Sequence, residues 1–375
     1  MSTYIDIHII QNLPPSCVNR DDSGSPKSAV YGGVRRLRVS SQSWKRAARL
    51  YFNNLLGADD VGVRTKRVVE VLASTIAKDA PELVENAAAL AEGVFKAAKI
   101  KLSPPRGKKD GPQESGYLLF LSTSQIARLA DLAIASARSG ETLDTKAVKK
   151  IFKEEHAVDI ALFGRMVADD TDLNVDAACQ VAHAISTHAA ENEYDFFTAV
   201  DDEKNRSEEE DAGAGMMGTV EFSSATMYRY ATVNLDMLVE NLGDGGAALR
   251  ALEVFIKGFC LSMPTGKQNT FANRTLPETI VISIRDDQPI SLVGAFEKPV
   301  PEASGTGYAD RSVGELARYA ETIEKNYGLR PLSSFVVALK DSDAVSSLGE
   351  RVPFADLPGR VRQVVDPRVG REERV

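Results

Sequence analysis

A chain of 375 residues with 43% hydrophobic side chains holds enough apolar material for about two or three packed lobes, which excludes a disordered polymer. It carries 45 Lys and Arg against 53 Asp and Glu, a formal net charge of -8 that argues against a uniformly basic nucleic-acid binder. No run approaches the roughly 18 apolar residues of a membrane span, the first residues lack a signal-peptide pattern, and Cys17, Cys179 and Cys260 are scattered, so a cytoplasmic protein without a membrane partner is expected.

Tyr4 to Ile10 alternates, with Ile5, Ile7 and Ile9 on one face and Tyr4, Asp6 and His8 on the other, the pattern of a half-exposed strand. A loop with Pro14, Pro15, Pro26 and Gly32-Gly33 follows, and a short strand over Val34 to Val39 leads into a helix predicted over 41–56. Between Arg20 and Arg49 stand eight Lys or Arg against Asp21 and Asp22, so an acidic chain concentrates cations here. On such a helix Gln42, Lys45, Arg46 and Arg49 fall at i, i+3, i+4 and i+7, a cationic stripe, while Trp44, Ala48, Tyr51 and Leu55 form the apolar stripe that anchors it. The segment suits phosphate: the helix start at Ser40-Ser41 has free N–H groups, and Gly32-Gly33 permits close backbone approach.

From Arg67 to His188 the pattern changes to Ala-rich helical segments, among them VVEVLASTIA, ENAAALAEGVFKAA, SQIARLADLAIASA, KAVKKIFKEE, VDIALFG and VDAACQVAHAIST. They are interrupted by a basic loop over 103–116 and by one strand predicted at Tyr117 to Leu121. Residues 192–218 read as an acidic, loop-like excursion; Glu191 to Asp211 holds ten acids and two bases. Strand sequence returns at TVEFSSATMYRYATVN, followed by a helix at AALRALEVFIKGFCL, strands at TIVISI and ISLVGAF, a helix at VGELARYAETIEKNY and a strand at SFVVAL. The tail beyond Lys340 is rich in Pro and charge and is expected to be peripheral. With the two inserts removed the order is strand, helix, strand, strand, helix, strand, an α+β arrangement of the ferredoxin-like or RNA-recognition-motif (RRM) kind.

Catalytic and metal chemistry find little support. His183 and His188 are i, i+5, about 140° apart on a helix, where a zinc helix needs i, i+4. GKQN at Gly266 resembles the end of a phosphate loop, but Gly258 leaves seven intervening residues where the motif has four, and Gln268 replaces the Ser or Thr; Lys267, Gln268 and Asn269 remain a cluster of donors or a solvated turn. The pairs Asp169-Asp170, Asp201-Asp202 and Asp286-Asp287 read as solvated surface, and there is no GxSxG or HExxH. No catalytic residue, metal site or cofactor is assigned. Phe196 and Phe197, in the acidic excursion, are either exposed aromatics that wedge or dock, or a local mini-core. Met166 ends an apolar helix and by itself reads as core.

The chain resembles the CasC backbone subunit of the type I-E CRISPR surveillance complex, Cascade. The likeness runs in order through PSCVNRDD (15–22), YGGVRRLRVSSQSWKR (31–46), VDIALFGRM (158–166), VAHAISTH (181–188), FFTAVDD (196–202), EFSSATMYRYATVNL (221–235), KQN (267–269) and GAFEK (294–298). It implies a hand-shaped α+β protein: a modified RRM or ferredoxin-like palm over 1–56 and 221–340, a large helical finger insertion over 57–190, a protruding thumb loop over 191–220, and a peripheral tail over 341–375. Copies would polymerise head to tail along the spacer of a CRISPR RNA, beside other Cascade subunits, and present it to target DNA. By the matching motifs Arg20, Lys27, Ser40, Gln42, Lys45, Arg46, Arg49 and Lys267 would hold RNA phosphates, and Met166, Phe196 and Phe197 would flank a displaced nucleotide. The acidic thumb would then pack on the basic surface of the next copy. Apart from the resemblance, Arg106, Lys108, Lys109, Arg138, Lys146, Lys149 and Lys150 in the finger could form a basic track for target DNA, although Lys146, Lys149 and Lys150 at i, i+3, i+4 equally fit a solvated helix face. The competing reading is a CRISPR-RNA endoribonuclease of the same broad fold with His8 as general acid or base.

Overall fold

The computed structural model describes residues 2–57, 60–105, 111–199 and 216–369. In chain order, β1 (Tyr4–Ser16), β2 (Ser28–Tyr31), β3 (Val34–Val39) and α1 (Ser41–Phe52) lead to β4 (Gly62–Thr65), α2 (Val68–Asp79) and α3 (Ala87–Ala97). Next come β5 (Leu102–Ser103), β6 (Glu114–Ser115), β7 (Leu119–Ser122), α4 (Thr123–Ser139), α5 (Thr145–Lys153) and α6 (Val158–Phe163). The chain continues through β8 (Cys179–Val181), β9 (Ala184–Ser186), β10 (Glu193–Ala199), β11 (Met216–Asn234), α7 (Leu235–Leu242), α8 (Gly245–Leu261) and α9 (Gln268–Phe271). It closes with β12 (Thr279–Arg285), α10 (Tyr308–Tyr327), β13 (Ser333–Ala338), α11 (Asp343–Ser347), β14 (Glu350–Arg351) and α12 (Leu357–Val365).

The fold is mixed α+β around a central sheet ordered β14-β13-β12-β1-β11-β9-β3-β2, with β8 and β10 also pairing with β11. β1 lies antiparallel between β11 and β12 with Ile7 opposite Ala231 and Ile282. Its two faces fill different cores. Ile5, Ile7 and Ile9 pack with Ile280, Ile282 and Ile284 against Trp44 and Phe52 of α1 and Phe255 and Phe259 of α8. Tyr228, Tyr230 and Val281 face Leu292, Phe296 and Leu316, so the 292–300 segment and α10 cover the second face. The strand expected to be half-exposed is therefore buried on both sides, and Asp6 and His8 are enclosed with it.

A separate apolar core joins α2, α3, α4 and α5 through Leu72, Val94, Phe95, Leu129 and Phe152. Ser122 and Gln125 form a capping box at the start of α4, and Gly140 ends it in the left-handed conformation. Three local expectations change. VDAACQVAHAIST is not a helix; it gives β8 and β9, because its apolar residues pair into the ladder of β11 and β3. ISLVGAF is a turn over Val293–Phe296 rather than a strand. The tail, expected to be peripheral, sends Leu357, Val361 and Val365 of α12 into the main core. No helix among the described residues is long and apolar enough to cross a membrane.

Candidate nucleic-acid interface

Helix α1 is fixed at its start and from below. The Ser40 hydroxyl accepts from Ser43 N at 3.4 Å, and Ser40 N donates to Asn19 Oδ1 at 2.8 Å. Asn19 O accepts from Lys27 N and Lys27 O from Arg38 N, so the backbones of residues 19, 27, 38 and 40 meet at the helix start. Beneath the helix the guanidinium carbon of buried Arg229 lies 3.7 Å from the Trp44 ring centroid, and Arg229 Nη1 donates to Gln11 Oε1 at 2.5 Å. Trp44, Ala47, Ala48 and Phe52 form the buried stripe, each large ring worth about 2–3 kcal/mol on burial, and the helix ends at Phe52 rather than Leu56. Gln42 and Arg46 are left exposed, and Lys45 and Arg49 half-buried.

That polar face forms one wall of a groove of about 830 Å³, and Arg64, Lys66 and Tyr117 line it opposite. Lys45 Nζ stands 5.8 Å from the Phe163 ring centroid and the Arg49 guanidinium 5.2 Å from that of Phe120, which holds both cations over an aromatic floor. Among the described residues no Asp or Glu lines the groove. One carboxylate, Asp159, is buried beside it, accepts from Gly62 N at 2.9 Å and faces Arg49 Nε at 3.9 Å. Burial pushes the Asp159 carboxyl up to about 6. Burial also lowers the Arg49 pKa; Asp159 opposes that shift and the charges of Arg64 and Arg46 add to it.

Met166 closes one end of the groove and is 79% exposed. The local sequence explains why. Gly164 turns at φ +76°, where an added Cβ would stand 2.8 Å from Val175 O, and buried Arg165 donates to Leu173 O at 3.0 Å and to Phe152 O at 2.5 Å. With its neighbour pinned inward, Met166 is turned outward, so its reading as core is corrected. Beyond Arg46 the groove meets a second cavity of about 280 Å³, which shares Gly266 with a third of about 560 Å³ around Arg20. Lys267, half-buried, follows Gly266, and its charge and that of Arg20 both act on the Cys17 thiol. A polar path thus runs from Arg20 past Gly266 to Arg46 and on to Met166.

The family model described as CT1975-like protein matches residues 5–357. The chain belongs to the CT1975-like family. It is similar, at 37% identity and a TM-score of 0.86, to a chain of a solved CRISPR RNA-guided surveillance complex in a pre-nicking state, covering 96% of this chain and 99% of that one. A second such match, to a chain of a CRISPR RNA-guided surveillance complex, has 31% identity and a TM-score of 0.75, again over 96% and 99% of the two chains. No curated protein matches.

In this CT1975-like chain the excursion expected to be loop-like begins and ends as a hairpin, β10 against β11, with Phe196 opposite Thr219 and Phe197 opposite Gly218. Phe196 is 65% exposed and shares a face with exposed Tyr194 and Met217, whereas the Phe197 ring lies on Gly218, where an added Cβ would come within 2.6 Å. Phe222 at the base packs 5.9 Å from Phe271 of α9, next to the KQN turn. The acids of 201–211 lie outside the described residues, as do Arg106, Lys108 and Lys109. Of the other finger cations, Arg138 is bonded to Glu82 and Lys149 to Asp170, Lys150 stands 3.8 Å from Glu154, and Lys146 is exposed on α5.

Other residues change roles. Arg36, counted among the surface cations, is fully buried and donates to Tyr31 O, Ser186 O and Phe296 O. Gly32 approaches the Glu297 carbonyl, not a ligand. His8 is 2% exposed, its Nδ1 is 2.9 Å from the Tyr228 hydroxyl, and burial lowers its pKa to about 3, so the ring is enclosed in the sheet rather than presented to solvent. Arg64 and Lys66 are the groove residues that the sequence reading missed; the spacing of Gly62, Arg64 and Lys66 on alternate positions was the available signal.

Proposed function

We propose that this chain is a non-catalytic CRISPR RNA-binding backbone subunit of a Cascade-type complex, of the type I-E CasC kind, acting in the cytoplasm in antiviral defence. The observation that carries the reading is the one groove that gathers Gln42, Lys45, Arg46, Arg49 and an outward Met166 in an acidic chain. Its chemistry is cations on a rigid helix, which hold phosphates without reading bases and leave sequence recognition of target DNA to the guide. In the modified RRM-like palm that we infer, both faces of the central sheet are occupied, so the RNA grip falls on α1 instead of the open sheet face that such motifs use. Arg20 and Lys267 extend the grip along the polar path, with Lys27 and the largely buried Ser40 beside the start of α1. Phe196 acts as a sequence-tolerant wedge, stacking on a displaced nucleotide for about 1–3 kcal/mol, with Phe197 bracing it across Gly218. Copies repeat head to tail along the guide beside other subunits, and exposed finger cations such as Lys146 contact target DNA. We infer no cofactor.

The full chain purified with nuclease-free handling should carry RNA, protect it uncut with or without divalent metal, and form helical particles with it in electron micrographs. A monodisperse protein that neither carries nor binds RNA would refute the reading, and RNA cut by the chain would favour the endoribonuclease.

A further inference from the structure

We propose that Arg64 and Lys66 form a second cationic wall that binds phosphates of a single RNA strand from the side opposite α1. The inference rests on the RNA-binding reading and assigns that groove a two-sided grip.

Three observations on β4 and on Lys66, the second residue after Arg64, carry it. Arg64 pairs in register with Phe120 of β7, and the Phe120 ring is the one that underlies the Arg49 guanidinium at 5.2 Å, so Arg64 and Arg49 flank one aromatic ring from two different elements. Position 62 has no room for a side chain: a Cβ there would stand 2.7 Å from Phe120 Cε2 and 3.0 Å from Asp159 Oδ1, so the absence of one lets β4 close on that ring and on the carboxylate beneath Arg49. Arg64 and Lys66 are both exposed, and both line the groove together with Lys45, Arg46 and Arg49.

The electrostatics leave the cluster short of negative charge. Arg64, Arg46 and Lys66 have no carboxylate partner among the described residues, and Asp159 is already engaged by Arg49 and Gly62 N. Arg46 and Arg64 each disfavour the charged form of Arg49, the mark of like charges held together. A run of phosphodiesters entering between the walls neutralises both at once. The apolar and aromatic floor of Phe120, Phe163 and Met166 suits an unpaired strand, whose bases have free faces.

The test uses the full chain and a labelled single-stranded RNA titrated over a range of salt. Arg64→Ala with Lys66→Ala should weaken binding and flatten the log affinity against log salt by roughly 1.4, two contacts at about 0.7 each. Arg64→Lys with Lys66→Arg, which keeps both charges, should restore most of the slope. A charge-matched control at exposed sites elsewhere, Lys78→Ala with Lys325→Ala, should leave the slope unchanged. An unchanged slope in the first variant, or an equal loss in the control, overturns the second wall. If Lys45→Ala, Arg46→Ala and Arg49→Ala together still lower the slope, the RNA-binding reading survives that failure; if they too leave it unchanged, the reading itself falls.

Discussion

Arg36 donates to backbone carbonyls in three separate segments and reaches no solvent, whereas Arg46, ten residues on, faces the groove. A buried guanidinium can be held by carbonyls because its five donors match several acceptors at once, and such an arginine serves packing rather than ligand binding. His8 is the corresponding case on the sheet. The Tyr228 hydroxyl accepts from Leu292 N at 3.0 Å and lies 2.9 Å from His8 Nδ1, and burial disfavours the charged form of the imidazole. With a native pKa of about 3 against 6.5 unfolded, the unfolded chain takes up a proton that the folded one refuses, so this contribution to stability is full above pH 6.5 and is lost as pH falls toward 3. His8→Asn keeps an acceptor and removes the titration. In denaturant unfolding between pH 6 and 4 its stability should fall less steeply than that of the native sequence, by about 1.4 kcal/mol per pH unit; parallel curves would contradict the assignment.

At the scale of elements, the β2–β3 hairpin shows how one turn positions the start of α1. Gly32 and Gly33 both have positive φ, but only Gly32 meets another segment: its Cβ would fall 1.6 Å from Glu297 O, while nothing lies within 4 Å of Gly33. Gly32→Ala should therefore cost at least about 2 kcal/mol in chemical denaturation and Gly33→Ala only about 1, the strain of the left-handed conformation alone. Equal losses would show that the Glu297 approach is unimportant. The cationic helix was legible in the sequence because its two stripes have the helical period, and Ser40 and Trp44 mark its cap and its anchor. β8 and β9 were not, since three-residue strands have no period to read, and the Ala-rich segments before them bias the reading toward helix. Burial of both faces of β1 was equally hidden: Asp6 and His8 look solvent-facing until Arg285, Tyr230 and Tyr228 supply their partners. The outward turn of Met166 depends on Arg165 reaching carbonyls of distant elements, which no local pattern reports.

Across the whole molecule, charge is divided rather than balanced. Ten acids of the net -8 chain fall between Glu191 and Asp211, while the groove between α1 and β4 is lined by cations without an acid among the described residues. Such a division lets an acidic protein hold a polyanion locally while its remaining surface repels it. The sheet beneath supplies rigidity: helices and the 292–300 segment cover both its faces, and Arg229 couples it to Trp44 of α1. The most direct measurement is the salt dependence of single-stranded RNA binding by the full chain against the combined Lys45→Ala, Arg46→Ala and Arg49→Ala variant. Three lost phosphate contacts predict a slope lower by about 2, with no change in sequence preference. An unchanged slope in a folded variant would remove α1 from the RNA path and contradict the account.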